Sequence, residues 1–407
     1  MELIIRNVRL EDGQELVDVA VENGKIVAIE SGYAGSSERV IDAEGRVLIP
    51  GLIESHIHLD KALIADRKAN RSGVLAEALA VTAELKPTFT KEDIEDRARR
   101  TLLMLIKNGV THIRTHSEFD PTQGFTGFEV IMALKEEFKD LVDMQVVAFP
   151  QEGIYKMPGT DTMMIEAMEM GADVVGGISY MDPDPKQHID HVFELAKQYG
   201  KPLDFHQDFK DDFEGSSIEY LCDKTIKEGF IGQVSVGHLT SLGALEPEQL
   251  KPIADKMREA GISVMSLPAT DLHLGGRKDT SKVRRALTPI RALRDAGVNV
   301  CIATNNIRNA FTPYGNGDPL QTAMLAVSAA HLGGADDLST VLPMLTVNPA
   351  KALGLTDYGI KVGNAADMVL LDTKRVADAV IDIPDRLYVI KRGRVIVETK
   401  RTVTTNF

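Results

Sequence analysis

Eight short apolar runs, most of them separated by helical patterns, constrain this chain more than any other feature. The runs are Leu52–His58, Val110–Thr115, Met144–Phe149, Asp173–Ile178, Pro202–His206, Gln233–His238, Ser263–Leu267 and Asn299–Ala303. Between them lie stretches with apolar residues at helical spacing, such as Lys91–Lys107, Thr126–Phe138, Met163–Met170, His188–Gln198 and Leu250–Ala260. Strands alternating with helices form parallel sheets, and eight such units predict a (β/α)8 TIM barrel over residues 51–357. Both ends have a different texture. Leu3–Ile5, Leu16–Val21, Lys25–Ile29 and Arg46–Ile49 read as short strands, with Asn23-Gly24 as a hairpin turn. Ala366–Asp372, Leu387–Ile390 and Val395–Val397 repeat the pattern. Residues 1–50 and 358–407 are therefore expected to build one small β-sandwich domain from both termini.

Composition removes several classes of function. The formal net charge of −14 over 407 residues repels phosphate backbones, so nucleic acid is not an expected partner. No apolar run approaches the ~20 residues needed to span a bilayer, and Met1–Arg6 does not read as a signal peptide. A cytoplasmic protein without a membrane partner is expected. The two cysteines, Cys222 and Cys301, lack metal-finger spacing and read as buried free thiols.

In a barrel, chemistry gathers at the C-terminal ends of the strands. His56 and His58 end the first run; residues i and i+2 of a strand face the same way, so both imidazoles can aim at one point. His206 ends the fifth run and His238 the sixth. Four imidazoles from three strand ends would converge on one cavity, which reads as a metal site. His188, His191 and His331 fall in helical patterns and are expected in solvent.

Longer motifs extend this pattern. They include His56-Ile57-His58-Leu59-Asp60, Ile113-Arg114-Thr115-His116, Val146–Ile154, Gly171–Gly176, His206, His238, Asn299-Val300-Cys301, Asn348–Leu355 and Gly363–Asp367. Together the chain resembles the amidohydrolase superfamily in its cytosine deaminase branch. Through Pro313–Asp318 it is also similar to the branch that removes alkylamines from triazine rings. The resemblance implies metal-dependent hydrolysis of a C–N bond in a small nitrogen heterocycle. It implies a metal held by His56, His58 and His206, with His238 polarising the reacting centre or relaying protons. Gln151 resembles the glutamine that bonds the heterocycle, and Phe311 an aromatic lid residue. No lysine ends the fourth strand, where Ser179-Tyr180 stands, so one divalent ion, Zn or Fe, is expected rather than a bridged pair. The resemblance is compatible with a homo-oligomer.

Two positions depart from the family pattern. Asn305 stands where the family has a metal-binding aspartate that takes the proton from water, followed by Asn306 where an acid also often stands. Phe209 stands where cytosine deaminases carry a proton-shuttling glutamate, and Asp208 is the nearest acid. General acid–base catalysis is worth about 10²–10⁴ in rate, so other groups must take over these tasks if the chain is an enzyme. Asp208, Glu118 and His238 are the candidates for the base, and Phe209 is read as packing or as a wall for a flat ring. Two other readings stay open: a scaffold that binds without turnover, and hydrolysis of a cyclic amide or an N-alkyl group.

Overall fold

The computed structural model describes residues 1–406. Eight parallel strands follow one another in chain order: Leu52–Ile57, Val110–Glu118, Asp143–Phe149, Val174–Ile178, Leu203–Gln207, Val234–His238, Ser263–Ser266 and Asn299–Ile302. Each expected strand is present within a few residues. The ring closes through a parallel bridge between Ile57 and Asn305. There Asn305 N–H donates to His56 O at 2.9 Å, and His58 N–H donates to Asn305 O at 3.0 Å. Closure removes the sheet's open edges. It also places the first and eighth strand ends side by side.

Helices cover the outside. Lys91–Lys107 illustrates why they form where they do: Thr90 caps its N-terminus by accepting from Asp93 N–H, and the inward face carries Ile94, Ala98, Leu102 and Leu105. A helix over Leu75–Leu85, which the apolar spacing did not reveal, lies after the first strand. Its Ala78 and Val81 pack against Phe209, Leu274, Ala310 and Phe311 to make an apolar roof.

The termini form two four-stranded sheets. One orders Lys25–Glu30, Val17–Glu22, Leu3–Val8 and Arg39–Asp42; the other orders Arg394–Glu398, Arg386–Lys391, Met368–Leu371 and Leu48–Pro50. Leu3, Ile5, Val19, Val21 and Ile41 from the first meet Leu48, Met368, Leu370 and Ile390 from the second in one core. The Arg39–Asp42 strand had no clear alternation in sequence because three of its four residues are exposed. No helix among the described residues is long and apolar enough to cross a membrane.

Candidate active site

The four predicted histidines meet at the C-terminal end of the barrel. His56 Nε2 and His58 Nε2 lie 3.2 and 3.1 Å from His206 Nε2. The ligand-type nitrogens of His56, His206 and His238 all lie within 4.8 Å of one another. His56 is made possible by Gly237 on the sixth strand, where any Cβ would meet His56 Cε1 at 2.6 Å. The strand ends turn sharply: Asp208, His238, Leu239 and Asn305 all have positive φ, a region side chains seldom adopt and one that concentrates at functional sites.

Burial, reinforced by neighbouring imidazoles, holds His56, His58 and His206 well below the ordinary histidine pKa, and Lys61 adds to the effect on His56 and His58. With Nε2 unprotonated, each neutral imidazole aims a lone pair at the same point, and lone pairs converging at 3.1–3.2 Å suit a cation placed between them. Their Nδ1 atoms have no hydrogen-bond partner. Zinc–imidazole bonds of about 2.0–2.1 Å in a tetrahedron would put ligand nitrogens about 3.3–3.4 Å apart. The cluster therefore fits a divalent ion. Phe149 packs flat on His206, with ring centroids 4.2 Å apart.

His238 is held differently. Its Nδ1 lies 2.7 Å from Asp271 Oδ1, and Phe209 stacks on its ring at 4.2 Å and 11°. Burial pushes the Asp271 carboxyl up, against the pull of His238. Phe209 thus has one face on an imidazole and joins the roof cluster while still lining the cavity.

The cavity is lined by His58, His206, His238, Gln151, Asn305, Asn306, Phe209 and Phe311 among the predicted residues. Asp208 is not brought to its wall. Its carboxylate accepts from the Ser216 hydroxyl at 2.5 Å. Glu118, the other acid considered, lies behind Lys61, where Lys61 and Lys86 together hold it below the usual carboxylate range despite its burial. Sequence reasoning missed three groups. Lys61 lines the cavity although it is 1% exposed. Asp271 backs His238. Glu54, two residues before His56, accepts from Thr304 N–H at 3.0 Å, and burial pushes it up to about 7. Only Lys61 carried a signal, since it follows the His-Ile-His-Leu-Asp motif directly.

Beneath the cluster, His116 Nε2 lies 3.1 Å from Asp204 Oδ1, and Arg114 donates to Asp204 Oδ2 at 2.9 Å. His188, expected in solvent, is fully buried instead. Its Nδ1 lies 2.6 Å from Asp182 and its Nε2 accepts from Ile178 N–H at 2.8 Å. A helical position says nothing about which face turns inward, and His188 lies on the face packed against the fourth strand.

Comparison with known proteins agrees with this architecture. An amidohydrolase family model matches residues 61–397. The N-isopropylammelide isopropyl amidohydrolase of Pseudomonas sp. (strain ADP) is 30% identical, covering 98% of this chain and 97% of its own. The pterin deaminase of Rhizobium rhizogenes (strain K84 / ATCC BAA-868) is also 30% identical, over 95% and 89%. The crystal structure of 5-methylcytosine deaminase from Klebsiella pneumoniae, liganded with phosphonocytosine, superposes with a TM-score of 0.94 at 34% identity, covering 99% and 100%. With the family model matching residues 61–397 and a 30% identical relative covering 98% of the chain, this chain belongs to the amidohydrolase family.

Proposed function

We propose that the chain hydrolyses a C–N bond of a small nitrogen heterocycle, using one divalent ion, Zn or Fe, held by His56, His58 and His206. The observation that carries this reading is the convergence of those neutral imidazoles at 3.1–3.2 Å beside one cavity at the barrel mouth. The relatives' names support the bond type and the ring: N-isopropylammelide, pterin and 5-methylcytosine. When bound, a divalent ion supplies Lewis acidity that lowers the pKa of water to about 7.

The chain's own residues do the rest. Asp271 accepts a hydrogen bond from Nδ1–H of His238, which leaves the Nε2 lone pair as the ring's free acceptor. His238 accepts a proton from water as it adds to the ring carbon, and returns one to the departing nitrogen. Gln151 and Asn306 hold the ring by hydrogen bonds. Phe209, Phe311 and the Leu75–Leu85 roof exclude bulk water and give a flat ring apolar surface. Asn305 lines the cavity with its Oδ1 unpartnered, as a neutral acceptor in place of a carboxylate. Asp208 positions the loop after the fifth strand through Ser216.

The test is elemental analysis of the purified protein and its His56→Ala and His206→Ala variants, followed by product analysis. About one transition-metal ion per chain, lost in both variants, is expected. Turnover on a panel of aminopyrimidines, aminotriazines and cyclic amides should follow, with ammonia, alkylamine or ring-opened acid identifying the bond. A metal-loaded protein inert to the whole panel would overturn the hydrolytic reading and leave a binding protein on the same scaffold.

A further inference from the structure

A groove on the flank of the barrel lies directly behind the active-site cavity. It runs where the exit of the eighth strand meets the Pro268–Leu274 and Pro319–Ala329 helices, and Thr304, Asn306, Thr312, Tyr314, Gln321 and Leu325 line it. Residues 314–318 form one of its walls; they belong to a sequence motif that the site assignments above leave without a task. The Tyr314 hydroxyl donates to Ala269 O at 2.9 Å, which ties that wall to the helix after the seventh strand.

The partition between groove and cavity is thin and polar. Asn306 lines both. Thr270 lines the cavity, Thr312 lines the groove, and their hydroxyls lie 2.7 Å apart. Asn309 braces the partition: its Oδ1 accepts from Phe311 N–H at 3.0 Å and Thr312 N–H at 3.1 Å, and its Nδ2 donates to Asn306 Oδ1 at 2.6 Å. Thr304, on the groove side, has a buried hydroxyl oxygen without a hydrogen-bond partner. A polar atom of that kind suits water.

The two sides of the cavity pass different molecules. Phe209, Phe311 and the roof helix present apolar surface, which suits a flat ring. The partition offers hydroxyls and a carboxamide, which both donate and accept hydrogen bonds, as water and amines do. Beyond it, Tyr314 and Leu325, 45% and 39% exposed, give the outer groove apolar surface for a short alkyl substituent on nitrogen. Hydrolysis of a C–N bond consumes one water and releases one amine for each ring. A route through the flank lets the amine depart while the ring still fills the cavity.

We infer that the groove is a side portal. Water enters and the released ammonia or alkylamine leaves through it, past Asn306 and the Thr270–Thr312 pair, while the ring uses the mouth of the barrel. Rotation of these side chains joins the two spaces. The inference rests on the hydrolytic reading for the identity of the molecules that pass, but the route itself is tested without turnover.

Reporter cysteines in the full-length protein read that route. Ile178→Cys and Thr270→Cys each place a thiol on the cavity wall, and either one suffices if the other does not fold. The native Cys222 and Cys301 are buried, and burial pushes both thiols up, so the unsubstituted protein sets the background. Methyl methanethiosulfonate, a small uncharged thiol reagent, labels the reporter. Gln321→Trp or Ser328→Trp, at exposed positions of the Pro319–Ala329 helix, plugs the groove. The plugs should slow labelling by about tenfold or more, one decade in rate. A smaller effect from both plugs, or reporters that do not react at all, would overturn the portal. An inert substrate panel would count against hydrolysis and leave the labelling result standing.

Discussion

Asp271 Oδ1 lies 2.7 Å from Nδ1 of His238, and both side chains are buried. A carboxylate in that position fixes the imidazole's tautomer and orientation, as a metal-ligating or catalytic histidine requires. His238 ends the sixth strand and Asp271 lies in the short helix after the seventh, and after the eighth strand stands Asn305, where the family pattern has an acid.

Asp271→Asn should therefore cost activity through His238. An amide can donate where the carboxylate accepted, which favours the wrong tautomer. We expect kcat to fall by about 10²–10⁴ with a smaller change in KM, and the imidazole nitrogen resonances of His238 to exchange tautomer. Unchanged kcat in a folded variant would remove His238 from proton transfer.

Asn305→Asp restores a carboxylate to the cavity. It should hold the metal more tightly, by about 10–100-fold, the usual scale for altering groups around a site's ligands. Competition with a chelator measures this, and unchanged metal retention would place the Asn305 side chain outside the metal's reach. Turnover gives a second answer. A fall from an existing wild-type activity would mean the site is adapted to asparagine; activity appearing only in the variant would mean the natural chain binds without turnover.

Arg114 is 1% exposed and donates to Asp204 at 2.9 Å, Ser235 at 3.1 Å and Gln145 at 2.8 Å inside the barrel. Removing one member of a buried ion pair leaves the other uncompensated, which costs about 3–5 kcal/mol. Arg114→Met should lower the unfolding free energy by about that amount in denaturant titration. A loss near zero would show that His116 alone satisfies Asp204.

His112 sits at the opposite end of the barrel, near Asp143, Asp367 and Lys391. Burial first, then the Lys391 ammonium, bring its pKa down from 6.5 to about 4. The folded state thus binds fewer protons than the unfolded state between those values. Its contribution is present above pH 6.5 and is lost as pH falls toward about 4. The loss amounts to at most about 3 kcal/mol. His112→Gln should flatten that acid limb in melting temperature measured against pH. An unchanged slope would assign acid sensitivity to other groups.

The sequence by itself determined the barrel and most of the histidine cluster. Strand alternation is local, and so is the i, i+2 geometry of His56 and His58; a barrel of eight such strands then brings His206 and His238 to the same end. The sequence also exposed Asn305 and Phe209 as departures. Only the tertiary structure decided how those side chains are partnered. Asp271 reaches His238 across 33 residues, and Lys61 reaches Gln151 across 90. Asn309 sets the orientation of Asn306 only because a tight turn presents two backbone N–H groups to its oxygen. The inward turn of His188, and of the roof helix over Leu75–Leu85, likewise depends on what packs against them. Backbone pattern is written in neighbouring residues. Hydrogen-bond sense, charge compensation and burial are fixed by atoms distant in the chain, and these give the cavity its chemistry.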